Sequence, residues 1–451
     1  MDEIDIKEIV ENLNYLVAAR DDILIKNILV DLHPADVADL LHHLNDEDRD
    51  YIFNLLNAEV ASDVMIELDE SARDDIIEEL DEHRLSEIVD EMDSDDATDL
   101  LSDLPNHIVE KVLDRIDVQD SLEVKELLRH DEDTAGGIMA KEYVAVNLNS
   151  TIDQAIQEVR NKAEEVEDVY NLYVTDDSNN LVGIISLKDL ILAKPHLRIS
   201  EIMQHDVISV DTTVDQEKVA NIVKKYDLVS VPVTDDVGKL VGRITFDDVA
   251  DVMEEEASED IQIMAGITEE QEISETSPLR IMRVRLPWLL VGFIGELISA
   301  FVLQKFEVSL NQMIAATFFI PIIMAMGGNA GIQSSTLMVR GMATGEINMI
   351  YFNRRLVREF VVSLLTGLIL GLIILSTITL WLDNFNLGLI IAMALMIVII
   401  NASLVGVSVP VILRRFNIDP AIATGPFITT SNDVLGLFIY LLLITLFLPY
   451  F

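Results

Sequence analysis

Asn384 to Leu413 reads NFNLGLIIAMALMIVIINASLVGVSVPVIL, thirty consecutive residues without a formal charge. At about 1.5 Å per residue, a helix of ~20 apolar residues crosses the hydrocarbon core of a bilayer. The stretch therefore reads as a transmembrane helix. On its N-terminal side, Val308–Val339 (32 residues) and Phe360–Leu382 (23 residues) are equally free of charge. Two more runs carry one acid each, Glu296 in Pro287–Gln304 and Asp433 in Pro420–Phe451. Together these make five expected spans.

Arginines set the orientation through the excess of basic residues in short cytoplasmic segments. Arg280, Arg283 and Arg285 precede the first span, and Arg340, Arg354, Arg355 and Arg358 lie between the second and third. Arg414 and Arg415 lie between the fourth and fifth, so with alternating spans only Lys305 falls on the other side. The expected topology is a multi-pass protein of the cell (inner) membrane, with the N-terminus cytoplasmic and the C-terminus outside. The N-terminus, MDEIDIKEIVENL, is acidic and amphipathic, so no signal peptide is expected. An odd number of spans argues against an inverted repeat within one chain. A pore on the two-fold axis of a homodimer is the simple alternative.

The 451 residues carry a net charge of −48. Residues 1–277 hold −51 of this, while residues 278–451 are at +3. Such an acidic chain is not a nucleic-acid binder, which needs a basic face for phosphates. The absence of cysteine excludes disulfides, thiolate metal sites and a thiolate nucleophile.

Residues 33–116 repeat every twelve positions, as in HPADVADLLHHL, NDEDRDYIFNLL and NAEVASDVMIEL. Each unit opens on a capping or turn residue and closes on an apolar stripe at helical spacing. Short helices stacked in this way form an α-solenoid. Its histidines (His33, His42, His43, His83 and His107) suit surface or cap positions.

A second repeat aligns VTDDSNNLVGIISLKDL (174–190) with VTDDVGKLVGRITFDDV (233–249), 59 residues apart. Each copy reads as strand, Asp-rich turn, strand and helix start, with an earlier helix from Thr151–Arg160 and Thr213–Lys224. The pair resembles an α/β tandem cystathionine-β-synthase (CBS) module, and such modules often sense adenine nucleotides. That resemblance points to Ser186 and Asp189, in GIISLKD, as ATP-binding residues. The same two residues also serve as turn and cap, and both readings stand. Next, DDVADVMEEEASEDIQIMAGITEEQEISE (247–275) reads as an acidic amphipathic helix leading to the membrane.

Asp433, in GPFITTSND, is the most informative residue of the membrane part. A carboxylate at membrane depth costs roughly 2.5–3.5 kcal/mol on insertion scales, so it signals function. Gly425 and Pro426 can break the helix there, and Thr429, Thr430, Ser431 and Asn432 add oxygens. Glu296 is open to a structural or a functional reading. PIIMAMGGNAGIQSST (321–336) makes a poor lipid-facing helix, and polar or irregular backbone at that depth must be buried or line water. Small residues for close helix packing are the alternative. Hard oxygen donors, with neither Cys nor His in the spans, disfavour soft metals. Mg2+ is typically held through one or two carboxylates with its waters retained, so two Asp433 side chains across a two-fold axis suit it.

Solenoid, tandem CBS pair, acidic connecting helix and five spans together resemble the MgtE family of magnesium channels. GGNAGIQSSTL, ATGPFITTSNDVLG and EEEASEDI carry the resemblance most sharply. It implies four parts: an acidic helical domain (1–130), tandem CBS domains (131–253), a connecting helix (254–280) and a five-helix pore domain (281–451). It also implies a homodimer with Asp433 meeting Mg2+ in the pore. Mg2+ in the cytosol would close that pore by binding acidic clusters. The matching residues are Asp95, Asp99, Asp227, Asp248, Asp251, Glu256, Glu259 and Asp260. A secondary transporter coupled to protons or sodium is the alternative, kept open by Glu296. No nucleophile–base pair supports an enzyme.

Overall fold

The computed structural model describes residues 3–163, 166, 169–266, 278–343, 347, 352–416, 418–423 and 425–450. The chain divides into two compact units, Met1–Met253 and Glu254–Phe451.

The first unit opens on helices α1 (Glu3–Ala19), α2 (Asp22–Leu29), α3 (Pro34–His42), α4 (Asp46–Phe53), α5 (Ala58–Glu67), α6 (Glu70–Glu79), α7 (Glu82–Val89), α8 (Ser94–Ser102), α9 (Asn106–Leu113) and α10 (Val118–Leu127). Each twelve-residue unit gives one helix, α3 through α9, and in the first five units the residue that opens the helix also caps it. The side chains of Asn45, Asn57 and Asp69 accept the amides of Asp48, Val60 and Ala72. A cap of this kind is worth ~1 kcal/mol. His33 caps α3 in the same way, its Nδ1 accepting from the Ala35 amide at 3.3 Å. Leu40, Ile52, Val64, Ile76, Ile88, Leu100 and Val112, twelve residues apart, form a buried ladder. Helices two apart pack together, α3 on α5, α5 on α7 and α7 on α9, so each unit buries its stripe on a neighbour.

Two three-stranded sheets follow. The first holds β1 (Ala145–Asn147), β2 (Asn171–Thr175) and β3 (Leu181–Ser186), with α11 (Ile152–Asn161) and α12 (Leu187–Leu192). The second holds β4 (Val210–Asp211), β5 (Ser230–Thr234) and β6 (Leu240–Thr245), with α13 (Gln216–Tyr226) and α14 (Phe246–Ala265). In each sheet the first strand runs parallel to the second and the second antiparallel to the third. Val174 pairs with Gly183 and Val233 with Gly242, so the sequence repeat is a register repeat. Thr213 does not open α13; it donates to Asp211 at 2.6 Å, and Asp215 caps the helix. The acidic stretch 247–275 is helical through Ala265, and 267–277 lies outside the described residues.

In the second unit five helices are long and apolar enough to cross a membrane. They belong to α15 (Pro278–Lys305), a broken segment α16 (Glu307–Gln312), α17 (Ile314–Thr317) and α18 (Ile320–Ala343), then α19 (Phe352–Leu382), α20 (Phe385–Arg415) and α21 (Gly425–Phe447). The run 308–339 is therefore not one helix. Met313 leaves helical geometry at φ −136° and ψ 66°. The interruption is held inside the bundle, where Tyr440 Oη donates to the Ala316 carbonyl at 2.7 Å. GGNAGIQSST itself is uninterrupted helix, so its polar groups are side chains and not irregular backbone.

Helix α20 is the hub of the bundle, packing on α18, α19 and α21. A Cβ at Gly406 would stand 2.5 Å from the Gly331 carbonyl oxygen, so the α18–α20 crossing needs glycine there. Gly406→Ala is expected to cost ~1–3 kcal/mol, as overpacking does. Gly292→Ala, where a Cβ meets nothing within 4 Å, should leave stability unchanged or raise it slightly. Thermal melting of the two variants in detergent checks the contrast.

Candidate ion sites

Asp433 lies half-buried on α21, and its carboxyl is hydrogen-bonded to that of Glu296 on α15. Across from it is Gly328 of α18, where a Cβ would sit 3.9 Å from Asp433 Oδ1. The preceding residue, Asn432, is 1% exposed. Neither its Oδ1 nor its Nδ2 has a hydrogen-bond partner. Its amide occupies the space that any side chain at Gly331 would need. An unpaired buried polar group costs ~1–3 kcal/mol. Carboxylates, an orphaned amide and hydroxyls form the oxygen-rich donor set that suits a hard, hydrated divalent cation.

Helix α21 starts where expected, at Gly425 (φ +41°) and Pro426, after a 3-10 turn at Pro420–Ala423. The end of α14 packs against this start. A Cβ on Gly425 would lie 2.5 Å from the Met264 carbonyl oxygen, and one on Gly266 would lie 2.8 Å from Pro426 Cγ. Beside it, Asp260 is pushed up to about 6 by burial and by the charges of Asp419 and Glu256.

The second concentration of acids is in the first unit. Carboxylate oxygens of Asp93, Asp95 and Glu142 lie within 4.8 Å of one another, a grouping able to hold a metal ion. The Ser94 amide and Oγ donate to Glu142 at 3.1 and 2.8 Å. Burial, then the charges of Asp248, Asp96, Glu142 and Asp93, push Asp95 well above the usual carboxylate range. Asp96 is pushed up to about 8 by burial and by Asp248, Asp93, Asp99 and Asp247. Glu142 rises to about 7, mainly through burial and Asp93, with Ser94 opposing. Asp248 is also raised by burial, although Thr245 donates to it twice, at 2.8 and 2.7 Å.

Among the residues expected at a regulatory site, Asp95 and Asp248 therefore come together, and Asp99 acts on the same group from the exposed side of α8. Glu256 and Asp260 share one turn-to-turn face of α14, and Asp251 and Glu259 are exposed on that helix. Asp227 takes a left-handed conformation at the end of α13 and is not among the groups acting most strongly on Asp95, Asp96 or Glu142. Ser186 caps α12, its Oγ 2.7 Å from Asp189 Oδ2. Thr245 and Asp248 repeat that pair in the second copy.

Asp93, Asp96, Glu142 and Asp419 were not evident from sequence. Asp93 had a readable signal. It stands where Asn45, Asn57, Asp69 and Asp81 cap their helices, yet it makes no side-chain cap hydrogen bond. Glu142 had none, because only tertiary packing brings it to α8.

A multi-pass membrane protein that carries an acidic helical solenoid and a tandem CBS pair is thus defined. The MgtE family model, described as a divalent cation transporter, matches residues 320–443. The MgtE intracellular N domain matches 32–133, and CBS domains match 135–196 and 199–255. The magnesium transporter MgtE of Thermus thermophilus is 38% identical over 320 residues, 71% of each chain. That of Enterococcus faecalis is 38% identical over 329 residues, 73% of this chain and 72% of its own. The crystal structure of the soluble part of a magnesium transporter superposes with a TM-score of 0.52 at 32% identity, covering 56% of this chain and 99% of that one. The cytosolic domain of the Mg2+ channel MgtE in complex with ATP gives 0.52 at 35%, covering 54% and 99%. The chain belongs to the MgtE family.

Raised carboxyl pKa values in the folded state mean that the fold binds more protons than the unfolded chain. The stability they confer is complete below about pH 4 and is lost as pH rises through about 7 to 8. In Mg2+-free buffer, amides of α8 should therefore exchange faster at pH 8 than at pH 6. Millimolar Mg2+, which favours the ionised carboxylates, should flatten that difference, and Asp96→Asn should reduce it. Hydrogen exchange is the suitable readout, since both tryptophans, Trp288 and Trp381, lie in the membrane unit. An α8 exchange rate indifferent to pH and Mg2+ defeats the prediction.

Proposed function

We propose that the chain transports Mg2+ across the cell membrane, with Asp433 meeting the ion, and that cytosolic Mg2+ closes the path by filling the acidic groups of the first unit. The observation that carries this reading is the crowding of Asp93, Asp95, Asp96, Glu142 and Asp248. Such an arrangement is costly when its members are ionised and strongly favoured by a divalent cation among them. Mg2+ thereby has a large differential affinity for the compact state, which is what a two-state switch requires. Asp95, Asp93, Glu142 and Asp248 would hold the regulatory ion. Asp99, Asp251 and Asp227 would contribute at its margin.

Helix α14 is the mechanical link in this reading. It carries Asp248 in its first turn, Glu256, Glu259 and Asp260 along its length, and Met264 against Gly425 at the start of α21. Asp433 follows eight residues later on α21. We place the functional boundaries at 1–130, 131–253, 254–280 and 281–451, with the first three cytoplasmic and the C-terminus outside. The expected homodimer would set two Asp433 carboxylates about one path.

The Glu296–Asp433 pair favours one other reading. Two carboxyl groups hydrogen-bond only when one carries a proton, so Mg2+ entry could displace that proton as in a coupled transporter. Proteoliposomes with Mg2+ and pH set separately on each side distinguish the two. Mg2+ flux through a channel follows the Mg2+ gradient alone, whereas coupled transport is driven by a pH gradient at equal Mg2+.

In those liposomes Asp433→Asn should cut Mg2+ flux roughly tenfold or more, equivalent to about 1.4 kcal/mol at the site. Asp95→Asn with Asp248→Asn should leave flux running at cytosolic-side Mg2+ that shuts the unmodified protein. Normal flux from Asp433→Asn ends the permeation role. Unchanged closure in the double variant ends the sensor role.

We further propose that Ser186 and Asp189 receive ATP, supported by the ATP-bound relative and by their position at the start of α12, where Asp189 is exposed. Millimolar ATP should raise the melting temperature of the full-length protein by mass action, and Asp189→Ala should remove the shift. No shift at millimolar ATP leaves the two residues as a cap.

A further inference from the structure

A polar cavity of about 350 Å³ lies between α18, α19 and α20, away from Asp433. Its volume falls within the roughly 300–1,000 Å³ typical of small-molecule sites. Arg355, Arg358 and Glu359 line it from the first turns of α19, and Ser334 from α18. Ser334 is 3% exposed, and its Oγ donates to Glu359 Oε1 at 2.6 Å. Arg355 Nε is buried without a hydrogen-bond partner. Leaving a charged donor unpaired in a membrane bundle costs more than the ~1–3 kcal/mol of a neutral one. The ion-binding role proposed for Asp433 calls on none of these residues.

We propose that this cavity seats the headgroup of an anionic phospholipid. The phosphodiester is held by Arg355 and Arg358, and the headgroup hydroxyls meet Glu359 and Ser334. Two guanidinium groups and one carboxylate leave the cavity at +1, the complement of a singly charged phosphodiester. Arginine forks match phosphate oxygens. Glu359 accepts and does not donate, which suits hydroxyls on the headgroup.

Two observations favour a lipid over a soluble phosphate. Leu337 and Val362 line the cavity and are 55% and 50% exposed, on helices long and apolar enough to span the bilayer. In a bilayer such outward faces would meet acyl chains. Glu359 lies seven residues inside the start of α19 at Phe352, about 10 Å along the axis. A position so near the arginine-rich end of a span suits the headgroup region of that leaflet, where basic pockets between spans collect anionic lipids.

The test uses the full-length protein, purified in detergent and depleted of lipid. Phosphatidylglycerol and phosphatidylcholine with identical acyl chains are added separately, and bound lipid is counted by native mass spectrometry. Phosphatidylglycerol is expected to be retained in preference to phosphatidylcholine. Arg355→Gln with Arg358→Gln should weaken that retention roughly fivefold per arginine removed. Glu359→Gln keeps the acceptor, removes the opposing charge and should tighten retention, a gain that misfolding cannot imitate. Equal retention of the two lipids, or retention indifferent to all three substitutions, overturns the proposal. Displacement of the lipid by millimolar inorganic phosphate or glycerol phosphate overturns it too, assigning the cavity to a soluble anion.

Discussion

Like charges inside a fold repel most where water screens them least. Asp93, Asp95, Asp96, Glu142 and Asp248 converge under that condition, with Ser94 and Thr245 supplying the hydrogen bonds seen at Glu142 and Asp248. Burial is the leading cause of the upward shift of Asp95, Asp96, Glu142 and Asp248. Ionising these groups together therefore works against the packing that gathers them, and a proton or a cation among them relieves that repulsion. The rest of the protein's charge fits this dependence. A front half at −51 adds long-range repulsion that opposes compaction, but salt screens it over ~8–10 Å, whereas a cation at contact distance is not screened.

The two repeats show how such a site is made from ordinary parts. In the solenoid, the position that caps a helix in five units makes no cap hydrogen bond at Asp93. In the CBS pair, the hydroxyl–carboxylate couple that opens a helix occurs twice. Ser186 is half-buried and Asp189 exposed, while Asp248, beside Thr245, acts on the carboxylates of α8. Local structure is the same in each case. What differs is the neighbour, which leaves one copy as a cap at the surface and sets the other among buried acids.

This also explains what was legible in the sequence. Spans, solenoid and CBS strands follow from periodicity and charge, which are local, and all are present. The break at Met313 was invisible, because hydropathy measures transfer to lipid and not backbone geometry. Just past it the Ala316 carbonyl accepts from the Phe319 amide and also from Tyr440, 124 residues away, a partner that no local pattern shows. Glu142 and Asp419 escaped notice because each stands alone in sequence and becomes one of a group only on folding. Glu359 escaped because it closes an arginine-rich segment that reads as a topology signal.

The membrane site follows the same logic under a harsher solvent. Asn432 is buried with both polar atoms unpaired, and the Asp433 carboxyl is hydrogen-bonded to that of Glu296. Hydrocarbon tolerates neither arrangement unless it is useful, since unpaired polar groups are expensive there. Gly331 is required for Asn432 to occupy its place, and Gly328 lets α18 approach Asp433. The glycines of GGNAGIQSST therefore do more than bring helices together, because the room they leave is taken by the polar groups of α21. A bulkier residue at Gly331 would expel the amide before it disturbed the helix. The close approach of α18 and α21 and the polarity of the site are consequently one constraint: the site exists only where the helices touch, and they touch only where side chains have been removed.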